Sequence, residues 1–593
     1  MSAPPETTVS GRPVVGLSLA VNYAMAALDV RAYHAFNLIT HLLSTLLLFG
    51  LVRRTLGGQG FGGGVAAWLA LVAAAWWMIH PLQTDAVTYV IQRTELLMGF
   101  FYLLTLYCAV RGWGSSSPGR WFATAVGACA LGMGCKEVMV SAPLAVLLYD
   151  RVFRSDSLAE AWRRSRVLYL GLATSWIIMA VVLVSGPRSG TVGFSHGASS
   201  LSYLQTQAGV IVWYLRLCFW PDPLVIDYAW PLAVAPADWI LPGTGVLVLL
   251  VLTLWGLIRR SWWGFLGAWF FLILAPTSSF VPLVTEPAAE RRMYLPLAAV
   301  VVLVVVGGWW AWQKLCAPMS RQGRLVPWGA VGLAVAVATL LGYGTAERNG
   351  DYRSALAIWQ DTVTKRPHHV AARLKLANLR FEAGQLDEAA RNYQRVLEAR
   401  PQSAETHFNL ANAQAAQGRF DDAIEHYNEA LRLNPRYAEA HNNLGRLLAV
   451  RGRYDPALGH LTEALEVNPD YLAARINVAG VLAKMGKLDE AVGHFIEALR
   501  REATSVDARM GLADALLDQG RFDRAEAEYR RVLEFNPRQA GAHANLAIAL
   551  AMRGAKAQAI AELQEALRLD PSQPGARRLL ADLLAGSDGP GGD

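Results

Sequence analysis

The sequence has 593 residues, enough for more than one domain, and 53% of them are hydrophobic. This average hides two halves, because residues 14–346 are rich in Trp, Leu, Val and Phe whereas residues 347–585 are rich in Ala, Arg, Glu and Leu. The net charge of +7 does not indicate a nucleic-acid-binding protein. Much of the excess arginine lies in short loops between apolar runs, where a membrane accounts for it.

The cysteines indicate neither a disulfide framework nor a metal site. All five lie in or beside apolar runs and lack metal-ligand spacing: Cys108, Cys129, Cys135, Cys218 and Cys316. Residues 1–11 lack the basic-then-apolar pattern of a cleavable signal peptide. We therefore expect the cysteines to behave as small hydrophobic side chains.

Ten apolar runs in the first half are predicted to span a membrane, although several are short for a bilayer of about 30 Å. They lie near 33–54, 65–80, 95–111, 121–135, 137–151, 166–186, 241–259, 262–281, 293–313 and 326–346. The connecting loops alternate in charge. The basic set is predicted to be cytoplasmic by the positive-inside rule, and it includes Arg53, Arg54, Arg111, Arg120, Arg151, Arg154, Arg259, Arg260 and Lys314. The other set faces outward and comprises 81–94, 136–137, 187–240 and 282–292.

The outward loops carry most of the chemically useful side chains. The segment 286–296 holds two carboxylates, two guanidiniums and a phenol between two apolar runs. Charges at the edge of hydrocarbon are costly, so this cluster is predicted to be functional. The alternative is a membrane anchor of snorkelling arginines, which would not need the acids Glu286 and Glu290.

A reaction between a lipid-linked phosphate donor and a water-side acceptor suits this wet membrane face. Arginine and lysine would hold the phosphate, and a carboxylate would take the acceptor's proton. The catalytic candidates are Asp85, Glu95, Glu137 and Glu290, and the donor-phosphate candidates are Arg93, Lys136, Arg291, Arg292 and Tyr294. Structural alternatives are an ion pair of Asp85 with Arg93, and a self-neutralising turn at 136–137.

The motifs in this half resemble a known family. They are His-Pro-x-x-Thr-Asp-Ala-Val at 80–87, Arg-x-Glu at 93–95, Lys-Glu at 136–137, Tyr-Asp at 149–150, Trp-Pro-x-Pro-Leu-x-x-Asp-Tyr at 220–228 and Glu-Arg-Arg-x-Tyr-Leu-Pro at 290–296. This ordered set is similar to that of the transmembrane and tetratricopeptide-repeat O-mannosyltransferases. The resemblance implies a GT-C fold and inverting transfer of a mannose-like sugar from a polyprenyl-phosphate or dolichyl-phosphate carrier to protein Ser/Thr hydroxyls.

One departure concerns the N-terminal segment 1–32. The family begins with an additional span followed by an acidic pair, and this sequence resembles the family only from about residue 12. Taken as a complete chain, it would draw its base from Asp85, Glu95 or another outward acid. The run 14–29 is marginal for spanning, so we expect a helix that lies on the membrane surface.

The second half is organised by a step of 34 residues. Proline recurs at 367, 401, 435, 469, 537 and 571, glycine at 384, 418, 452, 486, 520 and 554, and alanine at 389, 423, 457, 491, 525 and 559. This period with these small residues is typical of tetratricopeptide (TPR) repeats. It predicts a half repeat at 347–369, six repeats at 370–573, a capping helix at 574–585 and a disordered tail at 586–593.

An asparagine ladder is the predicted acceptor site of the repeats. Its members share one repeat position in the first helices: Asn409, Asn443, Asn477 and Asn545. An amide offers a donor and an acceptor, so a ladder can hold an extended peptide, although ordinary repeat consensus is the alternative. His407, His441 and His543 are interpreted as repeat consensus, because whole-repeat spacing separates them by about 10 Å or more.

The sequence therefore predicts an all-α protein, with a polytopic GT-C-like transmembrane bundle followed by a TPR α-solenoid. We expect a bacterial inner-membrane glycosyltransferase with extracytoplasmic repeats, a polyprenyl-phosphate-linked sugar as donor, and no metal or other cofactor. The expected partners are protein or peptide acceptors and the lipid carrier, with no nucleic acid. The alternative is a non-catalytic membrane-anchored TPR scaffold, and a transporter is disfavoured by the few polar residues in the spans.

Overall fold

The structure, a computed structural model, describes residues 12–185, 199–278, 286–316 and 326–585, and within these ranges all regular elements are helical. The predicted tail at 586–593 and the first eleven residues lie outside the described residues. Contacts between Cα atoms divide the chain into two compact units, with the boundary between Ala372 and Arg373. The all-α fold class predicted from the sequence is confirmed.

The first unit contains most of the apolar helices. They are α1 (Pro13–Ala26), α2 (Val30–Gly58), α3 (Gly63–Met78), α4 (Thr84–Thr88), α5 (Arg93–Trp113), α6 (Pro118–Met133), α7 (Ala142–Phe153), α8 (Leu158–Ser185), α9 (Ser200–Phe219), α10 (Pro236–Ile258), α11 (Trp262–Leu274), α12 (Pro296–Cys316), α13 (Trp328–Asp351) and α14 (Ala355–Lys365).

Each of the ten predicted spans has a helix, but fewer are long enough to cross a membrane. Among the described residues six helices meet the length and composition of a span, or seven if the consecutive α3 and α4, bent by 55°, form one. The remaining three are short, since α6, α7 and α11 have 16, 12 and 13 residues. Six or seven of the ten predicted spans thus meet this test, in line with the expectation that several would be short, and a multi-pass membrane protein is supported.

The break between α3 and α4 follows from local sequence. Pro81 lacks a backbone N–H and cannot continue α3. The Nδ1 atom of His80 accepts a hydrogen bond from the backbone N–H of Leu82, which starts the next turn. His80 thereby caps a short 3-10 turn, and this turn carries Asp85 back toward the bundle core.

The basic loops converge at one end of the bundle. The guanidinium of Arg154 lies 4.7 Å from the centroid of the Trp113 ring, and Arg260 forms an ion pair with Asp156. The indole of Trp113 also donates to Ser165 at 2.9 Å. Loops that the charge pattern grouped together thus meet in the structure.

The second unit is a solenoid of helix pairs that begins within α15 (Val370–Glu382). Its remaining helices are α16 (Leu386–Ala399), α17 (Ala404–Ala416), α18 (Phe420–Leu433), α19 (Ala438–Val450), α20 (Tyr454–Val467), α21 (Leu472–Lys484), α22 (Leu488–Arg501), α23 (Val506–Asp518), α24 (Phe522–Phe535), α25 (Ala540–Met552), α26 (Lys556–Leu569) and α27 (Pro574–Ala585). The last of these occupies the predicted capping segment.

The repeated glycines and aspartates lie at different kinds of position at the ends of the helices. The glycine after each first helix has a φ between 72° and 80°, a left-handed conformation that glycine adopts readily at the end of a helix. The repeated aspartates, such as Asp387 and Asp421, lie inside the first turn of the second helices, because each helix begins one residue earlier at a hydrophobic side chain. There they stabilise the helix through its dipole.

Candidate functional site

Four segments that are distant in sequence meet at one end of the bundle. They are α4, residues 225–228, the 3-10 turn Glu290–Met293 and the end of α13. We call the charged side chains that they bring together the arginine cluster: Asp85, Glu286, Glu290, Arg291 and Arg348. The predicted convergence of the outward loops is thus seen in the geometry.

Arg291 is the cation of the cluster that reaches the surface, next to the exposed Glu286. Its Nη1 atom lies 3.7 Å from Oδ2 of Asp85, its backbone N–H donates to the same oxygen at 3.3 Å, and Nη2 pairs with Glu286. The side chain of Arg291 is 16% exposed and that of Glu286 is 46% exposed. Although burial lowers it, the carboxylates of Asp85, Glu286 and Glu95 raise the pKa of Arg291 above its usual value. Arg291 therefore remains a cation at the mouth of the site.

The pairing of Asp85 corrects the sequence-based alternative. Asp85 was considered as an ion-pair partner of Arg93, which follows it on the next helix. The structure pairs Asp85 with Arg291 across 206 residues, and its Oδ1 atom accepts from the Tyr352 hydroxyl at 3.4 Å. Asp85 is buried within α4, and its partners lie on the Glu290–Met293 turn and just after α13 rather than at the start of α5.

Glu290 is buried and held by several groups. Its Oε1 atom accepts from the backbone N–H of Val225 at 2.5 Å and from the hydroxyl of Tyr228 at 2.9 Å. Its Oε2 atom lies 3.8 Å from Nη2 of Arg348. Burial raises the pKa of Glu290 to about 7 despite the nearby Arg348, and Asp85 adds to the increase. The Glu290 carboxyl therefore connects residues 225–228 to Arg348 at the end of α13, and its pKa lies near neutrality.

Arg348 is the main residue that sequence reasoning missed. Its side chain is 3% exposed, and Nη1 donates to Asp351 at 3.1 Å and to Asp361 at 2.9 Å. Lys365 pairs with Asp361 at 2.8 Å from one turn further along α14. The available signal was an arginine at the end of the last apolar run with an acid three residues later, which is a helical ion-pair spacing.

Glu95 and Lys136 neutralise each other. The ammonium of Lys136 forms an ion pair with Glu95, whose side chain is almost fully buried. The structural alternative, a self-neutralising turn of Lys136 with Glu137, is replaced by this pair, since Lys136 reaches Glu95 on α5. Glu137 instead lies 3.9 Å from Arg12 and is partly exposed.

Arg93, a donor-phosphate candidate, is buried between α1, α2 and α5. Its guanidinium stacks 4.2 Å from the centroid of the Phe36 ring. It donates to four acceptors, which are the side chains of Asn22 and Asn37 and the carbonyls of Ser18 and Tyr33. The structure therefore gives Arg93 a bracing position, and it does not bring it into the arginine cluster.

The last two donor-phosphate candidates also point inward. Arg292 donates to the carbonyls of Pro287 and Thr277 at 2.8 and 3.4 Å, so it shapes the backbone that carries Arg291. The hydroxyl of Tyr294 lies 2.9 Å from Nδ1 of His41 in the bundle core. Of the five candidates, Arg291 is the one whose position within the described residues suits an incoming phosphate.

The asparagine ladder links neighbouring repeats. Asn443 donates from Nδ2 to Asn412 at 2.9 Å, Asn477 to Asn442 at 2.8 Å, and Asn545 to Asp514 at 2.9 Å. These amides, like that of Asn409, are only half-buried. Peptide binding by these four residues stays a prediction, to which the structure adds a role in joining the repeats for three of them.

Similar proteins fit both halves of this description. A family model described as tetratricopeptide repeat matches the chain in six overlapping segments: residues 345–404, 374–438, 408–471, 451–507, 479–537 and 510–574. The C-terminal half is therefore a TPR solenoid, as the 34-residue step predicted. The first match begins before the predicted half repeat at 347–369.

Two curated relatives are similar to part of the chain. The protein O-mannosyl-transferase Tmtc2 of Drosophila melanogaster is 29% identical over a segment that covers 37% of this chain and 24% of that protein. The protein O-mannosyl-transferase tmtc2 of Xenopus laevis is 28% identical, over 39% of this chain and 29% of that protein. The chain thus spans less than a third of the length of these relatives, and the resemblance inferred from the motifs is confirmed.

A solved structure, from a functional characterisation of Pseudomonas aeruginosa pilF, is 23% identical to the chain. The match covers 37% of this chain and 99% of the chain in that structure, with a TM-score of 0.33.

Proposed function

We propose that the chain transfers a mannose-like sugar from a polyprenyl-phosphate carrier to Ser/Thr hydroxyls of proteins, with Arg291 holding the donor phosphate. The observation that carries the proposal is the position of this cation. Its guanidinium is fixed by Asp85 on one side and by Glu286 on the other, and it stays partly exposed where four segments meet. The name of the relatives supports the reaction class.

A donor phosphate would replace Glu286, which is the partner of Arg291 that faces water. Glu286 is the exposed carboxylate of the pair, so a donor phosphate competes with it for the guanidinium. Arginine recognises phosphate through two parallel N–H donors, which adds geometric selection to the charge attraction. Asp85, held on the buried side, keeps the guanidinium oriented while the exposed partner changes.

Glu286 is our candidate for the base. Three of the four catalytic candidates from the sequence are buried in ion pairs or hydrogen bonds, which leaves them no direct access to an acceptor: Asp85, Glu95 and Glu290. The fourth, Glu137, is partly exposed but lies beside Arg12, outside the arginine cluster. Glu286, once displaced from Arg291 by phosphate, is an exposed carboxylate beside the donor. It can therefore take the proton of a Ser/Thr hydroxyl.

The transfer step balances with these groups. The hydroxyl oxygen attacks the anomeric carbon from the face opposite the phosphate, and its proton passes to Glu286. The bond between the anomeric carbon and the phosphate oxygen breaks, and the polyprenyl phosphate leaves with the bonding electrons. Arg291 stabilises the charge that develops on that phosphate. The asparagine ladder is the proposed holder of the acceptor peptide.

The proposed location follows the charge of the loops. By the positive-inside rule the end of the bundle with Arg154 and Arg260 is cytoplasmic, and the arginine cluster faces the extracytoplasmic side of a bacterial inner membrane. We propose that the repeats are extracytoplasmic as well. Protease protection of a tag fused after residue 585, measured in sealed inverted vesicles, tests this orientation.

A transfer assay tests the reaction. The full chain is reconstituted in lipid vesicles with synthetic polyprenyl-phosphate-mannose and a Ser/Thr-rich peptide, and mannosylated peptide is measured by mass spectrometry. We expect Arg291→Ala to lower the rate about 100-fold or more, and Glu286→Gln to lower it at least about 100-fold. The matched control is Arg260→Ala, which breaks the ion pair with Asp156 at the other end of the bundle and should leave the rate unchanged.

A second candidate function is a membrane-anchored TPR scaffold without catalysis. The favouring observation is that Asp85, Glu95 and Glu290 are all neutralised inside the protein, as expected of a structural core. The same assay separates the two functions. A chain that binds peptide but transfers no sugar, whether or not Arg291 is present, would support the scaffold and reject the transferase.

A further inference from the structure

Two histidine pairs lie in consecutive repeats of the solenoid. Nδ1 of His407 on α17 is 3.1 Å from Nδ1 of His426 on α18, and the equivalent atoms of His441 on α19 and His460 on α20 are 3.2 Å apart. In both pairs the second histidine follows the first by 19 residues, so each pair joins the two helices of one repeat. The expectation that repeat spacing keeps these imidazoles apart therefore applies between repeats and not within one.

The tautomer of the first histidine in each pair is fixed by its other nitrogen. Nε2 of His407 lies 3.1 Å from the carbonyl of Pro401, and Nε2 of His441 lies 3.1 Å from the carbonyl of Pro435. A carbonyl only accepts, so Nε2 carries the proton and the Nδ1 lone pair points at the partner imidazole. Histidines that bind metals commonly donate their second N–H to a carbonyl in this way.

We propose that each histidine pair is a binding site for a divalent transition-metal ion of the Zn²⁺ class. Two imidazoles bound tetrahedrally to zinc at about 2.05 Å have their ligand nitrogens about 3.3 Å apart. The observed separations of 3.1 and 3.2 Å are within about 0.3 Å of that value. The nitrogens therefore already have nearly the separation that an ion requires. A rotation of both rings toward the ion would let it cross-link α17 to α18 and α19 to α20.

Binding requires no net loss of protons from the neutral pairs. His426 and His460 present Nδ1–H to the lone pair of their partners, and a shift of that proton to Nε2 frees the second lone pair. Both residues are half-buried, so the shifted proton can face water and an ion can enter. Burial and the neighbouring imidazole lower the pKa of His426 and of His460.

Acidic side chains add favourable charge near each pair. Glu429 and Glu463 follow His426 and His460 by three residues, one turn further along the same helix. Each lies close enough to the imidazoles to interact with them electrostatically. Among the described residues no three His, Cys, Asp or Glu side chains form a ready metal cluster, so water would complete the coordination of a two-nitrogen site.

The same repeat position supplies a matched control. His494 is equivalent to His426 and His460 in the next repeat, but Arg475 replaces the first histidine there. The guanidinium of Arg475 donates to the carbonyl of Pro469 at 2.8 Å, in the manner of the histidines. This repeat keeps the hydrogen bond to the proline carbonyl and loses one of the two metal ligands.

Calorimetric titration with ZnCl₂ tests the proposal on the full, tag-free chain in detergent at pH 7.5. We expect His426→Gln and His460→Gln each to remove one equivalent of bound Zn²⁺, and the double variant to remove two. His494→Gln should leave the stoichiometry unchanged. Equal stoichiometry in the unaltered chain and the double variant, or an equal loss in the His494 variant, would overturn the proposal.

A second measurement covers variants that fail to fold. Cu²⁺ is bound to the unaltered chain, and electron paramagnetic resonance reports the number of coordinating nitrogens. We expect two imidazole nitrogens for each tightly bound ion. A spectrum without nitrogen coupling would reject the paired site, independently of any substitution.

Discussion

In the first unit the arginine cluster contains a buried ion pair, and the side chains of its members Arg348 and Glu290 are 3% and 0% exposed. In the second unit, ion pairs such as Arg432 with Glu429 lie in water, at 65% and 34% exposure. The residue types are the same, but their energetic consequences differ. A buried charge must be matched by partners, whereas an exposed pair gains little because water already solvates both ions.

The two regions also differ in how their partners are related in sequence. Arg432 and Glu429 are three residues apart on one helix, and Arg451 reaches Asp421 at an offset set by the repeat. Asp85 and Arg291 are instead brought together by the folding of the whole bundle. Periodicity therefore describes the solenoid, whereas the site of the first unit depends on tertiary structure.

Removal of Arg348 should give the largest effect. Arg348→Ala leaves Glu290, Asp351 and Asp361 without their shared cation, and breaking a buried pair costs about 3–5 kcal/mol. We expect a large fall in the thermal unfolding temperature of the full chain in detergent, followed by tryptophan fluorescence. Arg432→Ala is the exposed control and should leave that temperature unchanged. Equal shifts of the unfolding temperature in the two variants would contradict the idea that buried charges in the first unit matter more to stability than exposed ones in the second.

The pH dependence of stability should also reveal the effect of burial on a charged group of the first unit, Glu290. The pKa of Glu290 is raised from 4.5 to about 7 in the folded state, mainly by burial. The folded state then binds the proton more tightly than the unfolded state, so the stability contribution is complete below pH 4.5 and is lost as pH rises through about 7. The expected loss is about 3 kcal/mol.

Unfolding temperatures measured from pH 5 to pH 8 check this sign. The unaltered chain should become less stable as pH rises across that window. Glu290→Gln, which keeps the shape of the protonated carboxyl and cannot ionise, should flatten the dependence. A slope that survives in the variant would assign the effect to another group.

Sequence reasoning reached the fold and part of the site, for physical reasons. The 34-residue step fixed the repeat helices, and the alternation of charged loops grouped the segments that meet around Arg291. Sequence reasoning could not assign the ion-pair partners, because the pairing of Asp85 with Arg291 across 206 residues depends on which side chains the bundle buries. Arg93 illustrates the limit, since its motif position suggested a phosphate ligand and its burial makes it a brace.

Two glycines in the solenoid should respond to alanine in opposite ways. Gly511 stands where four other repeats have the ladder asparagine, and a Cβ there would meet the ring of Phe495. Gly511→Ala should destabilise by about 1–3 kcal/mol through overpacking. Gly480 has no neighbour within 4 Å of an added Cβ, so Gly480→Ala should stabilise its helix by up to about 1 kcal/mol.

Chemical denaturation followed by circular dichroism at 222 nm measures both variants. Opposite signs would show that packing between neighbouring repeats, rather than helix propensity, determines which residue occupies each position. The same sign in both would contradict the close approach of Phe495 to Gly511.

The smallest effect is expected at the asparagine ladder, where structure and proposed function overlap. Asn443→Ala removes the hydrogen bond that it donates to Asn412 and the one that it accepts from Asn442. The position is half-buried, so water replaces part of both bonds and the net cost is about 1 kcal/mol. The comparison variant Tyr427→Phe removes a different bond to the same Asn412 oxygen, at 2.5 Å, from the interior of the repeat. Denaturation should therefore show similar losses of stability in the two variants.

Peptide affinity then separates the two roles of Asn443. If the ladder holds acceptor peptides, Asn443→Ala should weaken binding of a Ser/Thr-rich peptide to the full chain, measured by fluorescence anisotropy, whereas Tyr427→Phe should not. The reason is that the ladder amide is half-buried and reachable, while the Tyr427 ring is 1% exposed. Equal affinities in both variants would leave the asparagines as connectors between repeats, and acceptor binding would then have to be sought on another surface of the solenoid.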